Sequence, residues 1–153
     1  FILYTGEELG LLGARYFVAN PPVPLEQIKV NVNYEMIARG SKTDKGETIV
    51  SNITDNQCPE IEEFAKAVHA RTENLIFKGR GYFGGSDHHA FYTKGIPIMC
   101  FVVGKAKGGG PSDYHKPEDD AEKANFECMT EAIRFTCNVI LEMANADSIP
   151  KGK

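Results

Sequence analysis

The sequence predicts an α/β fold: three layers, α/β/α, around a mostly parallel central sheet. Three observations predict it. Apolar runs of strand length alternate with stretches whose apolar residues recur at helical spacing, the order expected of a parallel sheet covered on both faces. The run Ile96–Val103 is apolar throughout, as a strand buried on both faces in the centre of such a sheet would be. The last element is a helical pattern from about Phe126 to Asn145, with Phe126, Met129, Ile133, Cys137, Ile140 and Ala144 expected to face inward.

The other elements follow in chain order. Phe1–Tyr4 reads as a short buried strand. A strand so placed needs sheet partners, so the chain reads as the C-terminal part of a larger domain, incomplete at its N-terminus. From Glu8 to about Ala19, Leu9, Leu12, Tyr16 and Ala19 recur at helical spacing, while Gly10 and Gly13 weaken the helix or mark a close contact. The prolines of "NPPVP" stop it. Ile28–Met36 alternates apolar and polar residues as a strand does, and a turn-rich excursion leads to a short strand at Thr48–Val50. Pro59 opens a second helix with Ile61, Phe64, Ala65 and Val68 on one face. Leu75–Phe77 is a candidate strand, and "GRGYFGGSDHHAFYTKG" is a glycine-rich loop entering a short helix capped by Ser86. Between Val103 and the last helix lies a long polar loop, of a length that tends to be functional. Residues 1–147 form one unit on this reading, and 148–153 a flexible tail.

Composition excludes several classes. A net charge of −4 argues against general nucleic-acid binding, which needs a basic face. No apolar stretch is long enough to span a bilayer. Cys58, Cys100, Cys128 and Cys137 show no CxxC spacing, so neither a thiolate zinc site nor a disulfide scaffold is expected. Cys100, Cys128 and Cys137 are expected to be buried thiols. The "GKAKGGG" run lacks the full phosphate-loop pattern and reads as a flexible loop.

In open α/β sheets ligands collect at the carboxyl ends of strands. Three such ends carry residues that suit a metal: Glu7 and Glu8 after the first, Glu35 near the end of the second, and His115 in the loop after Ile96–Val103. Carboxylate oxygen and imidazole nitrogen are the usual ligands of catalytic zinc, which keeps a position open for water. Adjacent glutamates allow one to bind the metal while its neighbour takes a proton from water whose pKa zinc lowers from ~16 to about 7. A bland alternative is that Glu7 and Glu8 merely favour a helix N-terminus.

Four ordered blocks narrow the choice: "FILYTGEELGLLGARYF", "VNYEMIARG", "GGSDHHAFYTKGIPIMCF" and "SDYHKPEDDAEKAN". Together, from Phe1 to about Asn125, they resemble the co-catalytic zinc aminopeptidases of the bacterial leucyl-aminopeptidase type. That superfamily also holds glutamate carboxypeptidases and glutaminyl cyclases. The resemblance implies a zinc-exopeptidase (phosphorylase/hydrolase-like) fold and an enzyme that removes N-terminal residues from peptides. It makes Glu7 the general base, Glu8 and His115 ligands of a first zinc, and Glu35 a ligand of a second, where the family usually has aspartate. Glutamate reaches one methylene further, which alters the expected geometry of the second metal. The family's remaining ligands, a histidine and a bridging aspartate, precede the "GEE" block, so these 153 residues are expected to hold part of a two-zinc site.

Asp87 aligns with the family's "SDH" block and is a candidate to bond a substrate amine or Glu7; a helix-capping role is equally open. Asp119, in a stretch resembling "YHTPxDT", is a candidate support for His115, and Tyr114 flanks it. Arg39 either neighbours the site or lies on the surface. His88 and His89 read as packed or surface residues, and His69 as a solvated helix residue. The implied partner is a peptide with a free N-terminus, and the resemblance points to a periplasmic or extracellular setting. Two alternatives stay open. One is glutaminyl-peptide cyclotransferase, against which the absence of tryptophan and the "DYH" sequence count. The other is a non-catalytic binding module of the same fold, against which Glu7, Glu8 and His115 speak.

Overall fold

A computed structural model describes residues 1–105 and 113–152; part of the "GKAKGGG" run lies outside them. The described residues form a four-stranded sheet in the order β1-β4-β2-β3, made of β1 (Asn31–Glu35), β2 (Thr48–Ile53), β3 (Leu75–Arg80) and β4 (Ile98–Val103). The β1/β4 and β2/β3 pairs are parallel, and β2 meets β4 antiparallel. The sheet is thus mostly parallel, with one reversal at its centre. The apolar β4 lies inside it as expected, between β1 and β2.

Strand parity sorts the side chains onto two faces. Met99, Phe101 and Val103 of β4, with Val50 and Leu75, join the larger core beneath α2 (Glu62–His69) and α4 (Phe126–Asn145). On the opposite face Ile98 joins Ala14, Val18, Ala90 and Phe91 beneath α1 (Leu12–Ala19) and α3 (His88–Tyr92). The fold is three layers, with both faces of the sheet covered. Register places Asn33, Cys100, Ile53 and Arg80 in one row across the second face, and Glu35, Val102, Ser51 and Lys78 in the next.

Several elements differ from expectation. Residues 1–4 make no strand among the described residues, and Phe1 and Leu3 are fully exposed. They run beside β1 across a cavity of about 510 Å³. An apolar run becomes a strand only where its N–H and C=O groups find a partner strand, and none of the described strands pairs with it. Tyr4 alone packs inward, against Phe17 and Phe91. The first helix begins at Leu12 rather than Glu8, because Gly10 (φ 97°) and Leu11 (φ 61°) take left-handed conformations. Pro59–Ile61 is a 3-10 turn leading into α2. Ser86 does not cap α3; its hydroxyl accepts a hydrogen bond from Asn33 at 3.2 Å.

Helix α4 spans the expected residues but presents another face. Cys128, Ala132, Phe135, Val139 and Met143 are buried, whereas Phe126 and Ile133 are exposed and Cys137 is an exposed thiol. The helix carries two apolar stripes, and only the one facing the sheet and α2 is covered. Asn125 caps it by accepting from the Cys128 N–H at 3.1 Å. Phe135→Ala is expected to lower stability by ~3–5 kcal/mol, against less than ~0.5 kcal/mol for Cys137→Ser; urea denaturation of both checks the assignment of faces. Beyond α4, Ile149 of the expected tail packs on the larger core.

Candidate active site

The stretch between residues 4 and 12 is shaped by its glycines. Gly6 (φ 65°) turns the chain, its carbonyl accepts from Leu9 and Leu12, and the Glu7 carbonyl accepts from Gly10 and Leu11. Gly13 closes the turn by packing on the Thr5 backbone. A Cβ there would stand 2.7 Å from the Thr5 nitrogen and 2.8 Å from its oxygen. The expected close contact is therefore real, and it holds Glu7 and Glu8 at the mouth of a cleft.

That cleft has a volume of about 1030 Å³. Glu7, Glu8, Glu35, Arg39, Tyr114, His115 and Asp119 line it, and so do Ile53 and Val102 from the second face of the sheet. The structure brings Glu7, Glu8, Glu35, Tyr114, His115 and Asp119 together here, whereas Asp87 lines the cavity of about 510 Å³ instead. The Glu8 Oε1 lies 2.7 Å from the His115 Nε2, and the Tyr114 ring stacks on His115 with centroids 3.8 Å apart. Burial, then the charges of Glu8, Glu35 and Asp87, push the Glu7 carboxyl above its usual range, opposed by His115. Burial and Glu35 likewise raise Asp87. One buried oxygen of Asp87, Oδ1, has no hydrogen-bond partner among the described residues, and its side chain makes no capping bond to α3. The capping role is thus not the one seen. A larger cavity of about 1170 Å³, between residues 25–32 and 146–152, contains none of these residues.

Asp119, a candidate support for His115, pairs instead with Arg39. Arg39 also holds Asp113, at 3.0 and 3.2 Å to its two carboxylate oxygens. Lys123 also reaches the Asp113 carboxylate, at 2.7 Å. Hydrogen bonds from Lys123 and then Arg39 hold the Asp113 carboxyl well below the usual range, against the opposing effect of burial. Arg39 is thus a neighbour of the site rather than a surface residue. Asp113 and Lys123 were not legible as partners, since their pairing depends on how the 113–125 segment returns to the end of β1. The other histidines stay outside the cleft lining. His88 is buried with Nε2 2.6 Å from the Phe83 carbonyl, and His89 meets the Tyr82 hydroxyl at 2.6 Å. His69 is not solvated but half-buried, with Nε2 3.0 Å from the Leu75 carbonyl.

The donor set suits zinc in kind. Glu8 and His115 offer an oxygen and a nitrogen within one hydrogen-bond length, so a small separation would admit an ion between them. The gathered carboxylates that raise Glu7 would be offset by a cation. Among the described residues, no three His, Cys, Asp or Glu side chains stand close enough to share one ion.

Comparison with known proteins places the chain. It is 28% identical over 155 residues to Aminopeptidase YwaD of Bacillus subtilis, covering 99% of this chain and 33% of that protein. Its fold superposes on the zinc aminopeptidase BSAP from Bacillus subtilis with a TM-score of 0.76 at 22% identity, covering 98% of this chain and 37% of that one. It superposes on a glutaminyl cyclase from Porphyromonas gingivalis with a TM-score of 0.63 at 17% identity, covering 93% and 52%. The chain spans about a third of YwaD's length. The description of Peptidase family M28 matches residues 1–140, nearly the whole chain, and the chain belongs to that family.

Proposed function

We propose that the protein carrying this chain is a zinc aminopeptidase that hydrolyses the first peptide bond of substrates with a free N-terminus. The observation that carries the reading is the meeting of Glu7, Glu8, Glu35 and His115 in one cleft, with the Glu7 carboxyl raised by burial and by its acidic neighbours. Glu8 and His115 would hold one zinc and Glu35 a second, joined by ligands from outside this chain. Zinc, when bound, supplies Lewis acidity toward water and the substrate carbonyl.

This chain's own residues then have separable tasks. Glu7 takes a proton from the attacking water at its carboxylate and returns it to the leaving amine. A raised pKa suits that exchange, because a base works best when its pKa nears the working pH. Asp87 lines the cavity of about 510 Å³ rather than the cleft, and its part is to help raise Glu7 by its charge. The apolar side chains of Ile53 and Val102 line the cleft and help exclude water.

Assay of the whole protein with leucyl-nitroanilide and with an N-terminal glutaminyl peptide tests the reading. Release of nitroaniline is expected, abolished by chelation and restored by zinc. Cyclisation of the glutaminyl peptide without leucyl hydrolysis would favour a cyclotransferase, and inertness toward both a binding module.

A further inference from the structure

We propose that Arg39, Asp113 and Lys123 form a clasp that positions His115, and that the clasp sets how tightly the first zinc is held. The inference rests on the zinc reading above and concerns residues that do not themselves touch the metal.

His115 is poorly fixed by its own surroundings. Its side chain is 52% exposed, and its described contacts are Glu8 at the cleft and the stacked Tyr114 ring. Its backbone sits at φ 58°, a left-handed conformation that a side chain with a Cβ disfavours. Such a conformation persists when the surroundings hold it in place. The holding groups lie two residues earlier. Asp113 is buried, its carbonyl accepts from the Lys116 N–H at 2.9 Å to close the turn around His115, and its carboxylate is held by two cationic side chains. Arg39 supplies one grip through a single nitrogen, Nη2, 3.0 and 3.2 Å from the two oxygens, while its Nη1 holds Asp119. Lys123 supplies the other at 2.7 Å.

The anchor reaches the second metal position as well. Arg39 follows Glu35 by four residues, with Met36 (φ 48°) between them in a left-handed conformation. The exit from β1 is bonded to the far end of the same loop: Asn125 N–H donates to the Ala38 carbonyl at 2.7 Å, and its Nδ2 to the Gly40 carbonyl at 3.2 Å. The clasp thus joins the segment bearing His115 to the segment bearing Glu35. A metal ligand swung out by even a fraction of an ångström loses affinity, and groups that orient ligands typically govern 10–100-fold of it.

Zinc affinity of the whole, folded protein, measured by competition with a chromophoric chelator, tests this. Arg39→Met is expected to weaken zinc binding by ~10–100-fold, and Asp113→Asn and Lys123→Met to act in the same direction. Arg39→Lys is expected to recover part of the loss, because an ammonium keeps the charge but lacks the two separate nitrogens that reach Asp113 and Asp119 together. A role confined to stability would lower the melting temperature of these variants and leave their zinc affinity alone. Wild-type affinity in both Arg39→Met and Asp113→Asn, with the loss confined to a His115→Ala control, would overturn the clasp and spare the site. Wild-type affinity in His115→Ala too would overturn the zinc reading itself.

Discussion

Glu7→Gln in the whole protein is expected to lower kcat by ~10²–10⁴-fold, the range supplied by a positioned acid–base group, while zinc affinity and folding stay near wild type. The amide has nearly the shape of the carboxylate, so the turn of residues 6–13 and its contact with Thr5 should persist. What it loses is the ability to take up a proton. Glu7 has few rivals for that task. Glu8 is paired with His115, and Asp119 with Arg39, whereas no described side chain bonds or pairs with Glu7. Its carboxyl is held above its usual range by burial and by Glu8, Glu35 and Asp87. Steady-state kinetics with leucyl-nitroanilide, beside metal analysis of the same preparation, checks the prediction. Unchanged kcat would place the base elsewhere.

His115→Ala is expected to fail differently. It removes an imidazole nitrogen that sits 2.7 Å from a Glu8 oxygen, leaving the first zinc one of the two ligands this chain offers. Affinity should fall by more than the ~10–100-fold typical of orienting residues, and activity should return in part at high zinc. Glu7→Gln should show the opposite pattern: zinc retained and activity not recovered by any zinc concentration. The pair of variants therefore separates holding the metal from moving the proton. If both behave alike, the division of tasks between Glu7 and its neighbours is wrong.

Much of this arrangement was legible in the sequence, because residue type and order carried it. The central strand β4, helix α4 from about Phe126, and the placing of Glu35 at the end of β1 follow from local patterns, whereas Glu7 and Glu8 follow no strand among the described residues. What escaped reading depends on partners distant in the chain. The apolar run at residues 1–4 has strand composition but no strand partner among the described residues. Helix α4 has two apolar stripes, and periodicity cannot say which one meets the sheet; the exposed Cys137 marks the error. Asp119 lies near His115 in sequence yet bonds Arg39, which lies 80 residues away. Ile53 and Val102 enter the cleft because antiparallel pairing of β2 with β4 sets them in adjacent rows of one face, a relation visible only once the strand order is known.

The central claim is that Glu8 and His115 hold a zinc beside Glu7, with Glu35 serving a second. Anomalous scattering at the zinc edge from crystals of the whole protein tests it most directly. The account predicts one anomalous peak bonded to Glu8 Oε1 and His115 Nε2, and another bonded to the carboxylate of Glu35, with Glu7 bonded to neither. Zinc located elsewhere, or a zinc-loaded active protein whose Glu8 and His115 stay paired with each other, would contradict it.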